Sequence, residues 1–456
     1  MTDLIVHPAE RPLVGSVPVP SDKSITHRAI LLGALSSGAS TITGAGGPLG
    51  EDNLSTLAAL RAMGVNAEVA EGGASITLRG VGLFGLTAPS SDLDCGNSGT
   101  TMRLLAGVLA AQRFSARMIG DASLSQRPMQ RVVGPLRLRG ARIEGKLDPR
   151  RPGEVTAPLD VGPLPAGHDL DTLEHTSKVA SAQVKSALLL SGLYAAGPTY
   201  VREPLVSRDH TERMLRALGV PLRSMGPMVE LDPSGWKRQL PAFEVRVPGD
   251  LSAAAFVVAA ALAVPGSRVD VRDVGLNPTR TGLLEILRDM GAACEAENAG
   301  DALGEPFGAL RVAHAEVTGA RAGGESLARA IDEVPVLAAI AARARGRTIL
   351  SDAAELRVKE SDRLAAMARV LAAFGVPCEE RPDGLIIDGR PEGKLRATDV
   401  ASDGDHRVAM SAAVLALSAD GPCRVRDAAC IATSFPRFVG TLRALGARVD
   451  VEGAAS

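Results

Sequence analysis

At 456 residues the chain is too long for one ordinary core, so two or three domains are expected. Aromatic residues are only 2% and the formal net charge is −2, which excludes an aromatic platform for sugars or single strands and a global field that would recruit nucleic acid or an anionic membrane. The five cysteines (Cys95, Cys294, Cys378, Cys423, Cys430) are scattered and form no C-x-x-C pair, a pattern of reduced cytoplasmic thiols and not of disulfides or zinc.

Taken in chain order, six helices are predicted to be apolar on nearly every face. They run through Ala29-Ile30-Leu31-Leu32, Leu104-Leu105-Ala106-Gly107-Val108, Ala187-Leu188-Leu189-Leu190, Ala255-Phe256-Val257-Val258, Val336-Leu337-Ala338-Ala339-Ile340 and Ala412-Ala413-Val414-Leu415. Such helices belong inside a core. The longest apolar run, Leu251 to Val264, is closed by Pro265-Gly266 and is too short to span a bilayer. The N-terminus, Met1-Thr2-Asp3-Leu4, carries no signal-peptide pattern.

Six amphipathic helices alternate with these, and each ends in the same way. The endings are Leu60-Arg61-Ala62-Met63-Gly64, Leu136-Arg137-Leu138-Arg139-Gly140, Leu215-Arg216-Ala217-Leu218-Gly219, Leu287-Arg288-Asp289-Met290-Gly291, Leu371-Ala372-Ala373-Phe374-Gly375 and Leu442-Arg443-Ala444-Leu445-Gly446. Each Gly stands where a helix C-terminus takes up the left-handed conformation. One unit is thus buried helix, strand, surface helix, Gly and strand pair, recurring about every 75 residues. Six units account for nearly the whole chain, as sheets around parallel inner helices. Two halves of three units are the simplest partition, crossing near Pro233-Ser234-Gly235-Trp236-Lys237-Arg238-Gln239-Leu240-Pro241.

Polar residues gather where the buried helices begin: Ser21-Asp22-Lys23-Ser24, Cys95-Gly96-Asn97-Ser98-Gly99-Thr100, Lys178 to Gln183, Gly249-Asp250-Leu251-Ser252, Ile331-Asp332-Glu333 and Asp403 to Arg407. Capping accounts for Ser, Asp and Asn there. It does not account for Lys23, Arg28, Arg103, Lys178 or Arg407, since a cation is unfavourable at the positive end of a helix unless an anion joins it. Cations beside free N–H groups describe an anion site. Helix N-termini opening on one face of each half, with the two faces opposed, would make a cleft for a multiply charged ligand. The segment Arg357 to Arg363 leads into a surface helix, whose start would put Lys359 and Arg363 on one face. Pro128 is expected to open another helix just after Arg127. Gly80-Val81-Gly82-Leu83-Phe84-Gly85 matches a dinucleotide fingerprint, but Pro89 and polar residues follow in place of a helix.

Four segments are similar to signatures of the 5-enolpyruvylshikimate-3-phosphate synthase family. They are Pro20 to Arg28, Gly96 to Arg103, Val358 to Leu364 and Asp405 to Met410. The resemblance implies a two-domain inside-out α/β barrel of six βαβαββ repeats, three per domain. One domain would span 21–241, inserted in another made of 1–20 and 242–456. It implies that shikimate 3-phosphate is held by Lys23, Ser24, Arg28, Ser181, Gln183, Arg208, Asp332 and Lys359. Phosphoenolpyruvate would meet Lys23, Gly99, Arg127, Gln183, Arg363 and Arg407. Asp332 is the expected base for the attacking hydroxyl, with Glu360 and Lys23 moving protons at carbon and phosphate. No metal or organic cofactor, nucleic acid or membrane partner is implied, and a cytoplasmic monomer is expected.

Two departures from the enteric and plant pattern stand out: Thr433-Ser434-Phe435-Pro436 lacks a lysine, and Leu104 replaces a proline. Gly99, where tolerant relatives have Ala, implies sensitivity to glyphosate. The rival within the fold is UDP-N-acetylglucosamine enolpyruvyl transferase, which uses a loop cysteine where this chain reads Gly120-Asp121-Ala122-Ser123-Leu124-Ser125-Gln126-Arg127-Pro128. The rival from another class is a non-catalytic anion-binding protein, which would gain nothing from Asp332 and Glu360.

Overall fold

The structure, a computed structural model, describes residues 2–44 and 50–453. The chain forms two compact units. One comprises the residues up to Ser21, Pro248–Gly300 and the chain from Pro306 onward; the other comprises Asp22–Val247 and Asp301–Glu305.

Among the described residues there are six sheets, and one order of strands recurs in them. In the repeat that opens with Leu93–Asp94, the inner helix Gly99–Leu109 leads to the strand Ala116–Ile119. The outer helix Gln130–Leu138 then leads to the strands Ile143–Leu147 and Val155–Val161. The first two strands are parallel, and the last lies antiparallel between the second and the third. A parallel pair needs a long crossover, and the inner helix is that crossover.

Two first strands are exchanged along the chain. Val14–Pro18 precedes the inner helix Lys23–Leu35, yet pairs in parallel with Arg268–Gly275. Glu244–Val247 precedes the inner helix Leu251–Ala263, yet pairs in parallel with Ser36–Gly44. That pairing carries the unit to Val247, six residues past the position 241 read from the sequence. The strand Asp3–Val6 closes the last sheet between Cys423–Arg426 and Val449–Glu452.

The six helices that the sequence marks as apolar lie in the core. In Leu251–Ala263 every residue but the last is buried. Close packing of this kind leaves no slack. The inner helices Gly99–Leu109 and Ala182–Gly192 approach so nearly that a Cβ on Gly107 would lie 2.2 Å from the Ala187 carbonyl oxygen.

The six Leu-to-Gly endings share one geometry. Gly64, Gly140, Gly219, Gly291, Gly375 and Gly446 all have positive φ, between 80° and 107°. In each, the N–H of the residue after Gly donates to the carbonyl of the leucine four residues before the Gly: Val65 to Leu60, Ala141 to Leu136, Val220 to Leu215, Ala292 to Leu287, Val376 to Leu371 and Ala447 to Leu442. All six leucines are fully buried, as are the small residues that touch down after the glycine. This is the Schellman motif with its hydrophobic contact, and it sends the chain from each outer helix into its hairpin.

Gly219 and Gly107 separate backbone conformation from space. A Cβ at Gly219 would meet nothing, so Gly219→Ala should cost about 1 kcal/mol from the left-handed backbone alone. Gly107→Ala should cost about 3 kcal/mol, because two helices must separate. Urea unfolding of both variants checks the order; equal losses would show that the helix contact yields freely.

Candidate active site

In the unit containing Asp22–Val247, the three inner helices begin at a common end. Arg28, in the second turn of Lys23–Leu35, donates 2.7 Å to the Ser186 hydroxyl in Ala182–Gly192. Arg103, in Gly99–Leu109, donates 2.6 Å to the Gln183 amide oxygen. Asp22 caps the first helix by accepting from the Ile25 N–H at 2.9 Å, and Ser98 caps the second by accepting from Thr101 N–H at 3.1 Å. Ser181, the N-cap of the third, makes no side-chain cap bond.

Around these starts the predicted site residues fall into distinct surroundings. Lys23 Nζ pairs with Asp52 at 2.9 Å. Arg28 is 3% exposed and donates to Thr211 Oγ1, the Ser24 carbonyl and Ser186; burial pushes its guanidinium down to about 10, so it stays charged. Arg127 donates to the Asn97 amide oxygen at 2.5 Å, and Asn97 in turn donates to Asp121 at 2.6 Å. Among the described residues no carboxylate pairs with Arg127, and its buried Nε lacks a partner. Gln183 also donates to Thr100 Oγ1 at 2.9 Å, and Arg103 reaches the Pro128 carbonyl at 3.0 Å. A Cβ on Gly99 would lie 2.7 Å from Arg103 Nη1 and 3.4 Å from Arg127 Nη1. Gly99, Arg103, Arg127 and Gln183 therefore form one cluster with a concentration of positive charge.

A buried chain of hydrogen bonds stands behind this cluster. His27 Nδ1 meets Thr56 Oγ1 at 2.7 Å, Thr56 meets Thr101 at 2.7 Å, and Thr101 donates to Ser98 Oγ at 2.8 Å. Burial pushes the His27 imidazole down to about 3, so it is neutral throughout the physiological range.

The other unit repeats the arrangement with acids among the bases. Asp250 caps Leu251–Ala263 by accepting from Ser252 N–H, and Asp405 caps His406–Ala416 by accepting from Arg407 N–H at 2.9 Å. The Ser252 hydroxyl bonds Glu333 at the start of Val334–Ala341, and Arg407 donates 2.8 Å to the Asp332 carbonyl. Arg363 is 2% exposed and faces three carboxylates: Asp405 at 2.8 Å, Glu360 at 2.6 Å and Asp332 at 3.4 Å. Burial alone would lower Arg363, but Glu360, Asp405 and Asp332 outweigh it and raise it. Burial alone would likewise raise Asp405, yet Arg363 and His406 hold it below the ordinary carboxylate value.

Two local expectations need correction. The helix begins at Arg363, capped by Asp362, so Lys359 precedes it in extended backbone and shares no helix face with Arg363; Lys359 pairs instead with Glu355 at 3.0 Å. Pro128 does not open a helix, which starts at Gln130 because the Glu154 carboxylate accepts from Met129 and Gln130 N–H. Lys178 is exposed, while Ser24, Ser181, Arg208 and Gln183 are partly exposed. Sequence reasoning missed Asp52 as the partner of Lys23, and Asn97 as the brace of Arg127. An acid in a first helical turn reads as ordinary dipole compensation, so Asp52 gave no distinct signal.

The enolpyruvyl transferase NikO from Streptomyces tendae shares the fold at a TM-score of 0.74 and 18% identity, covering 100% of this chain and 99% of that one. A solved EPSP synthase from Acinetobacter baumannii is 41% identical at a TM-score of 0.88, covering 99% of this chain and 100% of that one. The 3-phosphoshikimate 1-carboxyvinyltransferase of Syntrophotalea carbinolica is 50% identical over 434 residues, 95% of this chain and 96% of that protein. That of Geobacter sp. (strain M21) is 49% identical over 446 residues, 97% and 99% of the two chains. The family described as EPSP synthase (3-phosphoshikimate 1-carboxyvinyltransferase) matches residues 8–442, and the chain belongs to it.

The neutral His27 makes stability depend on pH. Its folded value lies below the ordinary 6.5, so the unfolded chain binds the proton more tightly and stability falls as pH drops below 6.5. Between pH 6 and pH 5, His27 should contribute a loss approaching about 1.4 kcal/mol per unit. Urea titrations of the parent and His27→Asn across this range should show a flatter slope in the variant. Parallel slopes would mean that His27 charges in the folded state.

Proposed function

We propose that the chain transfers the enolpyruvyl group of phosphoenolpyruvate to the 5-hydroxyl of shikimate 3-phosphate, the reaction that opens the way to aromatic amino acids. The observation that carries this reading is the cluster of Gly99, Arg103, Arg127 and Gln183 at inner-helix N-termini, where Arg127 keeps its charge uncompensated by any carboxylate among the described residues. A planar guanidinium of this kind suits bidentate recognition of carboxylate or phosphate.

In this reading Lys23, Gly99, Arg127, Gln183, Arg363 and Arg407 receive phosphoenolpyruvate, and Lys23, Ser24, Arg28, Ser181, Gln183, Arg208, Asp332 and Lys359 receive shikimate 3-phosphate. It takes the two compact units as two domains of one enzyme, both contributing groups to the reaction. A proton is delivered to the methylene carbon of phosphoenolpyruvate, and the acceptor oxygen bonds to the neighbouring carbon while its own proton leaves to a base. The tetrahedral intermediate then loses a proton from the new methyl group. The carbon–oxygen bond to phosphate breaks, and the double bond re-forms. Asp332 is the base for the hydroxyl, and Glu360 with Lys23 handles the protons at carbon and at the departing phosphate. The two carboxylates lie against one guanidinium, that of Arg363, which supports their acting as a pair.

Purified protein with phosphoenolpyruvate should release phosphate when shikimate 3-phosphate is added and not when UDP-N-acetylglucosamine is added. Asp332→Ala and Glu360→Ala should each lower kcat by at least about 100-fold. Turnover with the sugar nucleotide alone would move the protein to the rival activity, and silence with both acceptors would leave a binding protein.

Gly99→Ala should raise the KM for phosphoenolpyruvate by roughly tenfold, because the added methyl displaces Arg103 and crowds Arg127. Glyphosate inhibition should weaken more than substrate binding does. An unchanged KM with unchanged inhibition would remove Gly99 from the site.

A further inference from the structure

Behind Ser181 lies a cluster of charge that the reaction does not use. Lys185, on the inner helix Ala182–Gly192, sits between Glu203 at 2.9 Å and Glu212 at 2.8 Å. All three side chains are 2% exposed or less. Burial alone would lower Lys185, but the two carboxylates outweigh it and raise it, so the lysine stays charged. Apolar residues of the same volume would usually be at least as stable in such a place. Packing therefore does not account for the triad.

The geometry of Glu203 does. Its Oε1 accepts from the Ser181 N–H at 2.7 Å, at a helix start that lacks a side-chain cap. Its Oε2 accepts from the Ser207 hydroxyl at 2.7 Å and the Ser207 N–H at 3.4 Å. Lys185 Nζ completes the frame by donating 3.2 Å to the Ser207 carbonyl. One carboxylate and one ammonium thus tie together two segments. One carries Ser181 and Gln183; the other carries Ser207 and Arg208.

We propose that Glu203, held by Lys185, is a positioning residue that sets the spacing between Ser181 and the Ser207-Arg208 segment, and so shapes the seat for the phosphate-bearing acceptor. The proposal rests on the reaction assigned above, since it takes Ser181 and Arg208 as acceptor-binding groups. Gly99 and Arg127, which receive phosphoenolpyruvate alone in that reading, make no bond to the triad among the described residues, and of the groups on the pinned segments only Gln183 serves both substrates.

The test is steady-state kinetics in which each substrate is varied separately, with thermal unfolding alongside. Glu203→Gln keeps the shape but removes the charge that pairs with Lys185. It should raise the KM for shikimate 3-phosphate about tenfold while the KM for phosphoenolpyruvate stays within about twofold. A lowered melting temperature with both KM values unchanged, or an equal rise in both, would mean a merely structural role and overturn the proposal. Should Glu203→Gln fail to fold, Ser207→Ala removes one of its bonds without stranding a charge. It should raise the acceptor KM about threefold, and no change would overturn the proposal. The parent protein separates the two levels of inference. Absence of phosphate release with shikimate 3-phosphate defeats the assigned reaction together with this proposal, whereas normal turnover with an unaffected Glu203→Gln defeats the positioning role alone.

Discussion

Everything chemical in this protein depends on the inner helices of each unit beginning at the same end. The repeat enforces this. In four of the six repeats the inner helix joins two parallel strands of one sheet and must run back along that sheet, and the right-handed crossover fixes the face on which it lies. Repetition then places like helix ends together, and their aligned dipoles and unsatisfied N–H groups add. Left alone, such an arrangement repels itself. The chain offsets it locally with Asp22, Ser98, Asp250 and Asp405, each capping one helix start. What remains is a field that favours anions, reinforced in one unit by the guanidinium groups of Arg103 and Arg127.

The two units use this common frame differently. Arg127 is held by a neutral amide, that of Asn97, and the nearest acid in the chain of bonds, Asp121, acts through that amide. Its charge is thus aimed and still available. Arg363 is in the opposite condition, with Asp332, Glu360 and Asp405 around it. That guanidinium holds the three carboxylates in fixed relation to one another. One unit thus holds a guanidinium with no carboxylate partner among the described residues, and the other holds one that three carboxylates surround.

Buried polar links keep these groups in place. The chain from His27 through Thr56 and Thr101 to Ser98 pins the helix that carries Arg103, and the Lys185–Glu203 frame pins the segments of Ser181 and Arg208. Arg280 does similar work in the other unit, reaching Ser252 at 2.7 Å and Asp250 at 3.3 Å. Such networks are costly when half satisfied and rigid when complete. Groups held this way lose little freedom when a ligand arrives.

The repeat was legible because its signals are local. A helix apolar on all faces declares its burial within a dozen residues, and a leucine followed four residues later by glycine specifies a left-handed turn by backbone sterics alone. All six endings took the geometry their sequence dictates. Short-range inference failed where a nearby group competed: Glu154 delayed a helix expected at Pro128, and Asp362 started one after Lys359 instead of before it. Long-range partners gave no signal at all. Lys23 finds Asp52 29 positions away, Ser181 finds Glu203 22 away, and Arg28 finds Thr211 183 away. Hydrophobic spacing carried no sign of the exchange of Val14–Pro18 and Glu244–Val247 between repeats, since either strand would satisfy the period it interrupts; only the family resemblance implied that residues 1–20 belong with the C-terminal half. Sequence alone determined the repeated unit, the buried helices and the residue types at their N-termini, all of which follow from propensity and hydrophobic spacing. Only the tertiary structure decided which acid meets which base, because that choice depends on distances through space that no spacing along the chain encodes.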